Sequence, residues 1–264
     1  AVRRAVPLVP CLAFKFGMKD VVGPPLMLSV DDVVERAGFG RFQLMLLFLS
    51  GGTQLADATE LLLLSFLSPA LRCEFELTDL ETAALSSVVF MGMLLGAVGS
   101  GVFADRFGRR KGFLVVTAFT SVFGVATAVG ASLPTIMVCR FLTGVGIGGA
   151  PVAVSLFAEF VPKGRRGQYL IFFFVFFSVG GVIEAALAWA IMPVYGWRGL
   201  VLVSALPSTL LLFTYPLVPE SARFLMTHDR PHDAAKVNPT YVCNGLCIEL
   251  SLAAHCRCCD GWSR

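Results

Sequence analysis

Long apolar runs separated by short polar stretches dominate the chain. Residues 83–103 and 113–133 are the clearest runs, because neither contains an ionisable side chain and each matches the ~20 residues that a helix needs to cross the hydrocarbon of a bilayer. The predicted spans are 42–71, 83–103, 113–133, 135–157, 169–192 and 199–218. This pattern predicts an all-α membrane protein with six transmembrane helices.

The polar stretches set the predicted domain limits. Residues 1–41 form an amino-terminal tail with four prolines and a short polar helix over 29–37. Residues 42–218 form the six-helix transmembrane domain, and residues 219–264 form a polar carboxyl-terminal segment with a cysteine-rich end. We expect both terminal segments on the cytoplasmic side.

Positive charges support this topology. Of the 21 Lys and Arg residues, 18 fall in the two terminal segments and in the loops after the second and fourth spans. The opposite loops hold only Arg72 and Arg198, and Arg140 lies within a span. Because short cytoplasmic loops carry an excess of Lys and Arg, the basic side is predicted to be the cytoplasm.

Composition excludes several classes of function. Apolar residues make up 56% of the chain and charged residues 15%, well below the soluble norm of roughly a quarter. The net charge of +3 then reflects topology rather than nucleic-acid binding. No nucleophile, base and orienting group recur together, so we expect no enzyme, and no phosphate-binding loop or dinucleotide fingerprint indicates a cofactor.

Small residues recur every fourth position on two spans. Gly92, Gly96 and Ser100 share one face of the second span, and Gly144 and Gly148 share one face of the fourth. Such spacing lets helix backbones approach closely. It is compatible with ordinary helix packing or with smooth faces along which helices rock.

Four charged residues fall inside the predicted spans. Asp57 and Glu60 share a face of the first span, Arg140 on the fourth is the available partner, and Glu184 lies in the fifth. Charges at this depth cost ~3 kcal/mol each on insertion scales and are functional candidates by default. The alternative is a static buried ion pair that fixes helix register. By depth, at ~1.5 Å per residue, Glu60 reaches Arg140 better than Asp57 does.

Three loop motifs carry a family resemblance. Residues 101–111, GVFADRFGRRK, resemble the loop motif Gly-x-x-x-Asp-Arg-x-Gly-Arg-Arg/Lys of the major facilitator superfamily. Residues 158–167, AEFVPKGRRG, and 219–225, PESARFL, resemble loops of its sugar-porter and organic-ion branch. Residues 38–43, GFGRFQ, 56–60, ADATE, and 144–151, GVGIGGAP, look most like the synaptic-vesicle-two-related proteins.

The resemblance implies one half of a twelve-helix major facilitator fold, in the plasma membrane or an intracellular vesicle membrane. It implies secondary active transport of a small solute by alternating access, with protons as a candidate coupling ion and a carboxyl-terminal six-helix half as a partner beside the lipid bilayer. An acid at Asp57 would pair with Arg140, and protonation would release the pair. The expected cytoplasmic gating network comprises Asp105, Arg109, Arg110, Glu159, Arg165, Arg166, Glu220 and Arg223.

The solute class rests on a departure from the family pattern. Sugar porters usually carry a Gln on the fifth span, whereas 169–182 is almost entirely apolar and rich in Phe. This favours an organic ion over a sugar. The competing hypotheses are a non-transporting membrane protein with a binding or regulatory role and an inactive truncated transporter.

Five of the eight cysteines lie in the last 22 residues. Their spacing matches no common zinc pattern, so no metal site is expected. Acylated cytosolic cysteines and a truncated or misread coding region are the other interpretations.

Overall fold

Helices form nearly all of the part of the chain that the computed structural model describes, residues 39–221 and 224–225, without the side chain of Lys163. The predicted polar helix over 29–37, Arg223 and the cysteine-rich end lie outside it. The helices are α1 Arg41–Phe75, α2 Asp79–Phe107, α3 Arg109–Val129, α4 Leu133–Ile147, α5 Ala150–Glu159, α6 Arg166–Ser204 and α7 Leu206–Thr214, with 3-10 turns at Lys163–Arg165 and Tyr215–Leu217.

Four stretches of this described part are long and apolar enough to cross a membrane: Asp79–Phe107, Arg109–Val129, Leu133–Glu159 and Arg166–Leu217. The third joins α4 and α5, and the fourth joins α6, α7 and the final turn. Helix α1 is long enough but carries Gln54, Asp57 and Glu60 in its middle. The mostly helical membrane fold is therefore confirmed, while the count of six spans stays a prediction.

Two predicted loops are shorter in the structure than expected. The segment 193–198 was expected to be a turn, and α6 is indeed two helices joined at a kink there, but only Gly196 leaves helical geometry, with φ 66° and ψ −169°. The stretch 72–82 was also expected to be a loop. There α1 extends to Phe75, and α2 begins at Asp79 because Thr78 caps it, accepting a hydrogen bond of 3.3 Å from the Glu81 N–H.

The junction between α2 and α3 depends on one glycine. Gly108 has φ 108°, a conformation that side-chain-bearing residues rarely adopt. Its N–H donates to the Ala104 carbonyl at 3.0 Å and ends α2, and α3 begins at the next residue. The tight charged loop predicted here is thus a single non-helical residue, with the charges on the adjoining helix ends.

Close backbone contact between α2 and α4 confirms the prediction from the small residues. A methyl group on Gly92 would overlap the carbonyl oxygen of Phe141, and one on Gly96 would overlap that of Val145. In return, a methyl group on Gly144 would overlap a backbone oxygen of α2. The small residues of each helix therefore accommodate the backbone of the other.

Two apolar clusters fill the bundle, one near each end. The first contains Leu46, Leu47 and Leu49 of α1 with residues of α3, α5 and α6. The second contains Leu63, Leu67 and Leu71 of α1 with residues of α2, α3, α4 and α6. The part of α1 between these clusters, residues 50–60, carries the buried polar and charged side chains. A polar layer thus lies between two apolar ones.

Candidate functional site

A buried ion pair joins α1 to α4 within the polar layer. Arg140 Nη1 lies 2.9 Å from Glu60 Oε2, and the two side chains are 1% and 0% exposed. Arg140 Nε also donates to Thr127 Oγ1 of α3 at 3.1 Å. Three helices therefore meet at one guanidinium group, as expected from the depth of Glu60.

Asp57 is the nearest acid on the same helix, but it does not pair with Arg140. It is buried, and its Oδ2 has no hydrogen-bond partner among the described residues. The Asp57–Arg140 contact implied by the family resemblance is therefore not made in this structure, where Glu60 holds Arg140. Asp57 precedes Glu60 by three residues, about 4.5 Å along the helix, and so lies farther from the level of Arg140.

Glu184 of α6 belongs to the same layer. It is fully buried, and its two carboxylate oxygens lie 2.8 and 3.0 Å from Ser204 Oγ. The same hydroxyl lies 2.9 Å from the Leu200 carbonyl oxygen. Because a hydroxyl has one proton, Ser204 satisfies only one of these acceptors at a time. Glu184 is thus held in place but incompletely hydrogen-bonded within the described part of the bundle.

A second group of charges lies at the end of the bundle where α1 begins, which we call the basic end. Arg109 Nη2 lies 3.0 Å from Asp105 Oδ1, and Arg109 Nε lies 3.6 Å from Glu159 Oε1. Ser221 Oγ donates to Glu159 Oε2. The start of α3, the end of α5 and the segment after α7 therefore meet here, and Asp105 is paired although its side chain is 68% exposed.

Glu220 binds the start of α3. Its Oε1 accepts a hydrogen bond from the Arg110 N–H at 3.1 Å, where the helix dipole favours negative charge. Gly108 leaves room for this carboxylate, since a Cβ atom there would lie 2.7 Å from Glu220 Oε2. The Arg110 guanidinium lies over the Tyr215 ring, 4.8 Å from its centroid.

Two members of the predicted network are not joined to it. Arg165 and Arg166 form no ion pair with another residue of 39–221 or 224–225, and Arg166 Nε is buried without a hydrogen-bond partner in those ranges. Arg223 lies outside the described residues. The structure thus brings together Asp105, Arg109, Glu159 and Ser221, and places Arg110 beside Glu220.

The opposite end of the bundle, which we call the acidic end, has a contact that the sequence did not indicate. Trp197 Nε1 donates to Glu74 Oε2, and Arg198 Nη2 lies 3.5 Å from Glu74 Oε1. The Arg198 guanidinium also lies over the Trp197 ring, 4.9 Å from its centroid. These residues tie the end of α1 to the bend of α6 at Gly196. The only signal in the sequence was that both stretches were predicted on the same side of the membrane.

The arrangement of helices with a buried charge layer defines a helical membrane protein. Residues 41–241 match the family model for the sugar (and other) transporter family. The chain belongs to this family, and it is a multi-pass integral membrane protein of the plasma membrane or a vesicle membrane.

Several curated proteins are similar in sequence. The organic cation/carnitine transporter 7 of Arabidopsis thaliana is 39% identical over 79% of this chain and 42% of its own length. The synaptic vesicle 2-related protein of Xenopus laevis is 41% identical over 74% of this chain and 36% of its own length. The synaptic vesicle glycoprotein 2A of Rattus norvegicus is 34% identical over 86% of this chain and 34% of its own length. The chain thus spans about two fifths or less of these relatives.

Solved structures show the same fold. A partially occluded inward-open conformation of the xylose transporter XylE from E. coli has a TM-score of 0.68 and 19% identity, covering 80% of this chain and 56% of that chain. The POT family transporter PepTSo has a TM-score of 0.58 and 13% identity, covering 83% of this chain and 55% of that chain. At these identities the likeness supports the fold alone.

Proposed function

We propose that this chain forms one six-span half of a secondary active transporter. Its transmembrane domain, 42–218, would pack against a carboxyl-terminal six-helix half and move a small solute by alternating access. The observation that carries this proposal is the buried layer of Asp57, Glu60, Arg140 and Glu184 between two apolar clusters. Ionisable groups at this depth are expensive and are usually kept for a function.

The exposed surface of α2 supports a second half. This helix contributes one narrow stripe of buried residues to the bundle, which includes Leu85, Val89 and Gly92. Its other faces expose large apolar side chains, namely Phe90, Met91, Leu94, Leu95, Val98 and Val102. The relatives are more than twice as long as the matched region, which leaves room for a second set of helices.

Proton coupling is proposed for Asp57. Glu60 is already paired with Arg140, whereas Asp57 Oδ2 has no partner among the described residues. Arg140 keeps Nη2 without a partner in the same part of the chain, so it has capacity for a second carboxylate. We suggest that in another conformation ionised Asp57 binds this second position of Arg140, and that protonation of Asp57 ends the contact. The loss of the Asp57–Arg140 contact would accompany the switch of the transporter from opening on one side of the membrane to opening on the other.

An organic cation is the preferred solute class. Three acids and one arginine give the layer an excess of acidic groups, which suits a cation. Phe172, Phe174 and Phe177 of α6 are exposed on the bundle, so aromatic surface is available to a second half, lipid or solute. The name of the Arabidopsis thaliana relative, organic cation/carnitine transporter 7, agrees with this class.

The contacts at the basic end are proposed as a gate. The Arg109–Glu159 and Arg110–Glu220 contacts connect loops on one side of the bundle. Both contacts lie within this half, so we suggest that their rearrangement frees charged groups on that side to pair with the second half, and making and breaking such pairs is a common element of switching transitions. Positive-inside anchoring alone accounts for the arginines but not for the paired acids.

Asp57→Asn tests the coupling. In proteoliposomes of the full-length transporter containing this chain, we expect the variant to lose accumulation of an organic cation against its gradient at an imposed pH difference. Downhill exchange should persist, because the buried pair is intact. Asp79→Asn is the matched control, since Asp79 is an exposed acid paired with Arg72. Unchanged accumulation in Asp57→Asn excludes it as the coupling acid, and no uptake by the wild type favours the binding or regulatory role.

A further inference from the structure

A stripe of buried polar side chains runs along one face of α1 toward the basic end. Gln43, Ser50, Gln54 and Asp57 are separated by seven, four and three residues, which places them on one side of a helix. All four are buried. A buried polar stripe on a membrane helix requires partners, because lipid and apolar side chains provide none.

Three of these side chains have an atom without a partner. Ser50 Oγ, Gln54 Nε2 and Asp57 Oδ2 are buried and make no hydrogen bond to any residue that the structure describes. Gln54 Nε2 is a donor, an ionised Asp57 Oδ2 is an acceptor, and a serine hydroxyl is both. The set therefore complements a small ligand that donates and accepts at once.

The spacing of the stripe selects the ligand. At 1.5 Å per residue, Ser50 and Gln54 lie about 6 Å apart along the axis, and Ser50 and Asp57 about 10 Å apart. These separations exceed one hydrogen bond, which spans about 2.8 Å between oxygen atoms. Two to four molecules of the size of water in a row would span them, and buried water commonly satisfies otherwise unpartnered polar groups.

We propose that Ser50, Gln54 and Asp57 hold a file of bound water molecules inside the bundle, extending from Asp57 toward the basic end. The charged groups of the same layer are Glu60, Arg140 and Glu184. Glu60 Oε1 and Arg140 Nη2 also lack partners in the described chain, so the file has polar atoms to meet at its Asp57 end.

The other end of the file is closed in this conformation. Between Gln43 and Ser50, α1 contributes Leu46, Leu47 and Leu49 to the apolar cluster that includes Phe157. The file therefore stops at an apolar barrier of about one and a half helical turns. Its use as a proton route to Asp57 rests on the proposed transport function, whereas the hydration itself does not.

Water-edited solid-state NMR on the chain in lipid bilayers tests the hydration. We expect magnetisation from water to reach the Gln54 side-chain amide and Ser50 several-fold faster than Thr59. Thr59 is the matched control because it is fully buried on the same helix, and its hydroxyl already lies 2.8 Å from the Ala56 carbonyl oxygen. Equal, slow transfer to all three residues would overturn the proposal.

A second measurement keeps the result independent of transport. In Gln54→Leu, which removes the central polar atom, we expect transfer from water to Ser50 to fall at least twofold while the spectrum of Thr59 is unchanged. Unaltered transfer to Ser50 would contradict a connected file. Neither NMR measurement depends on solute uptake. The proposed hydration can therefore be refuted while the proposed transport stands, and the proposed transport can be refuted while the hydration stands.

Discussion

Removing the positive charge of Arg140 leaves the Glu60 carboxylate buried without its partner. Both side chains are almost fully buried, at 1% and 0% exposure. Breaking such a pair from one side costs about 3–5 kcal/mol, because the remaining charge stays desolvated. Arg140→Met is therefore expected to lower the free energy of unfolding by that amount. Little of the loss is expected from Thr127, since its hydroxyl still donates to the Phe123 carbonyl oxygen at 2.8 Å.

Replacing both members of the pair should restore most of the stability. In Glu60→Leu/Arg140→Met neither charge remains, and buried pairs replaced by apolar residues of similar volume are often as stable as the original. We expect the double variant to lie within ~1 kcal/mol of the wild type. The coupling energy of the cycle is then several kcal/mol, which separates a buried pair from two independent contacts.

The measurement is unfolding of the purified chain in mixed micelles at increasing sodium dodecyl sulfate fraction, followed by tryptophan fluorescence. Arg198→Met is the control, because its ion pair with Glu74 is half-exposed and such pairs contribute less than ~1 kcal/mol. The reasoning is refuted if Arg140→Met is no more costly than the control, or if the double variant is as unstable as Arg140→Met alone.

Two further predictions concern packing and the basic end. Gly144→Ala should reduce the yield of monodisperse protein in size-exclusion chromatography several-fold, because the new methyl group meets the α2 backbone. Gly99→Ala is the control and should leave the yield unchanged, since nothing lies within 4 Å of a methyl group at that position. Glu159→Gln should lower the thermal midpoint in detergent more than Asp105→Asn, because Glu159 is 16% exposed and Asp105 is 68% exposed. A reversed order in the first comparison would contradict the close α2–α4 contact, and a reversed order in the second would contradict the greater weight given to the Glu159 contacts.

The positions of the helices were readable because each long apolar run lies mostly within a helical stretch. Their ends were less readable. The turn expected over 193–198 is mostly helical, since one glycine, Gly196, absorbs the change of direction that Pro193 and its neighbours were expected to need. The gap after the first span shrank because Thr78 and Glu81 cap α2 early, a local signal that the apolar pattern does not contain.

The four charged residues of the layer were found from the sequence, but two pairings of Arg140 were left open. The family resemblance favoured Asp57 as the partner of Arg140, while the depth calculated from the helix rise favoured Glu60. The structure has the Glu60 pair, because depth in the bundle limits which side chains can meet. The Trp197–Glu74 contact was missed, since the two residues are 123 positions apart and neither stretch has a periodic signal. Contacts between helix ends depend on tilt, which composition does not set.

The reciprocal fit of α2 and α4 limits how the buried pair can separate. Arg140 immediately precedes Phe141, whose carbonyl oxygen lies against Gly92, so Arg140 is fixed in height relative to α2. A sliding motion between these two helices would force backbone atoms into each other. Because this contact opposes sliding of α4 along α2, we expect opening of the pair to involve displacement of α1 relative to these two helices.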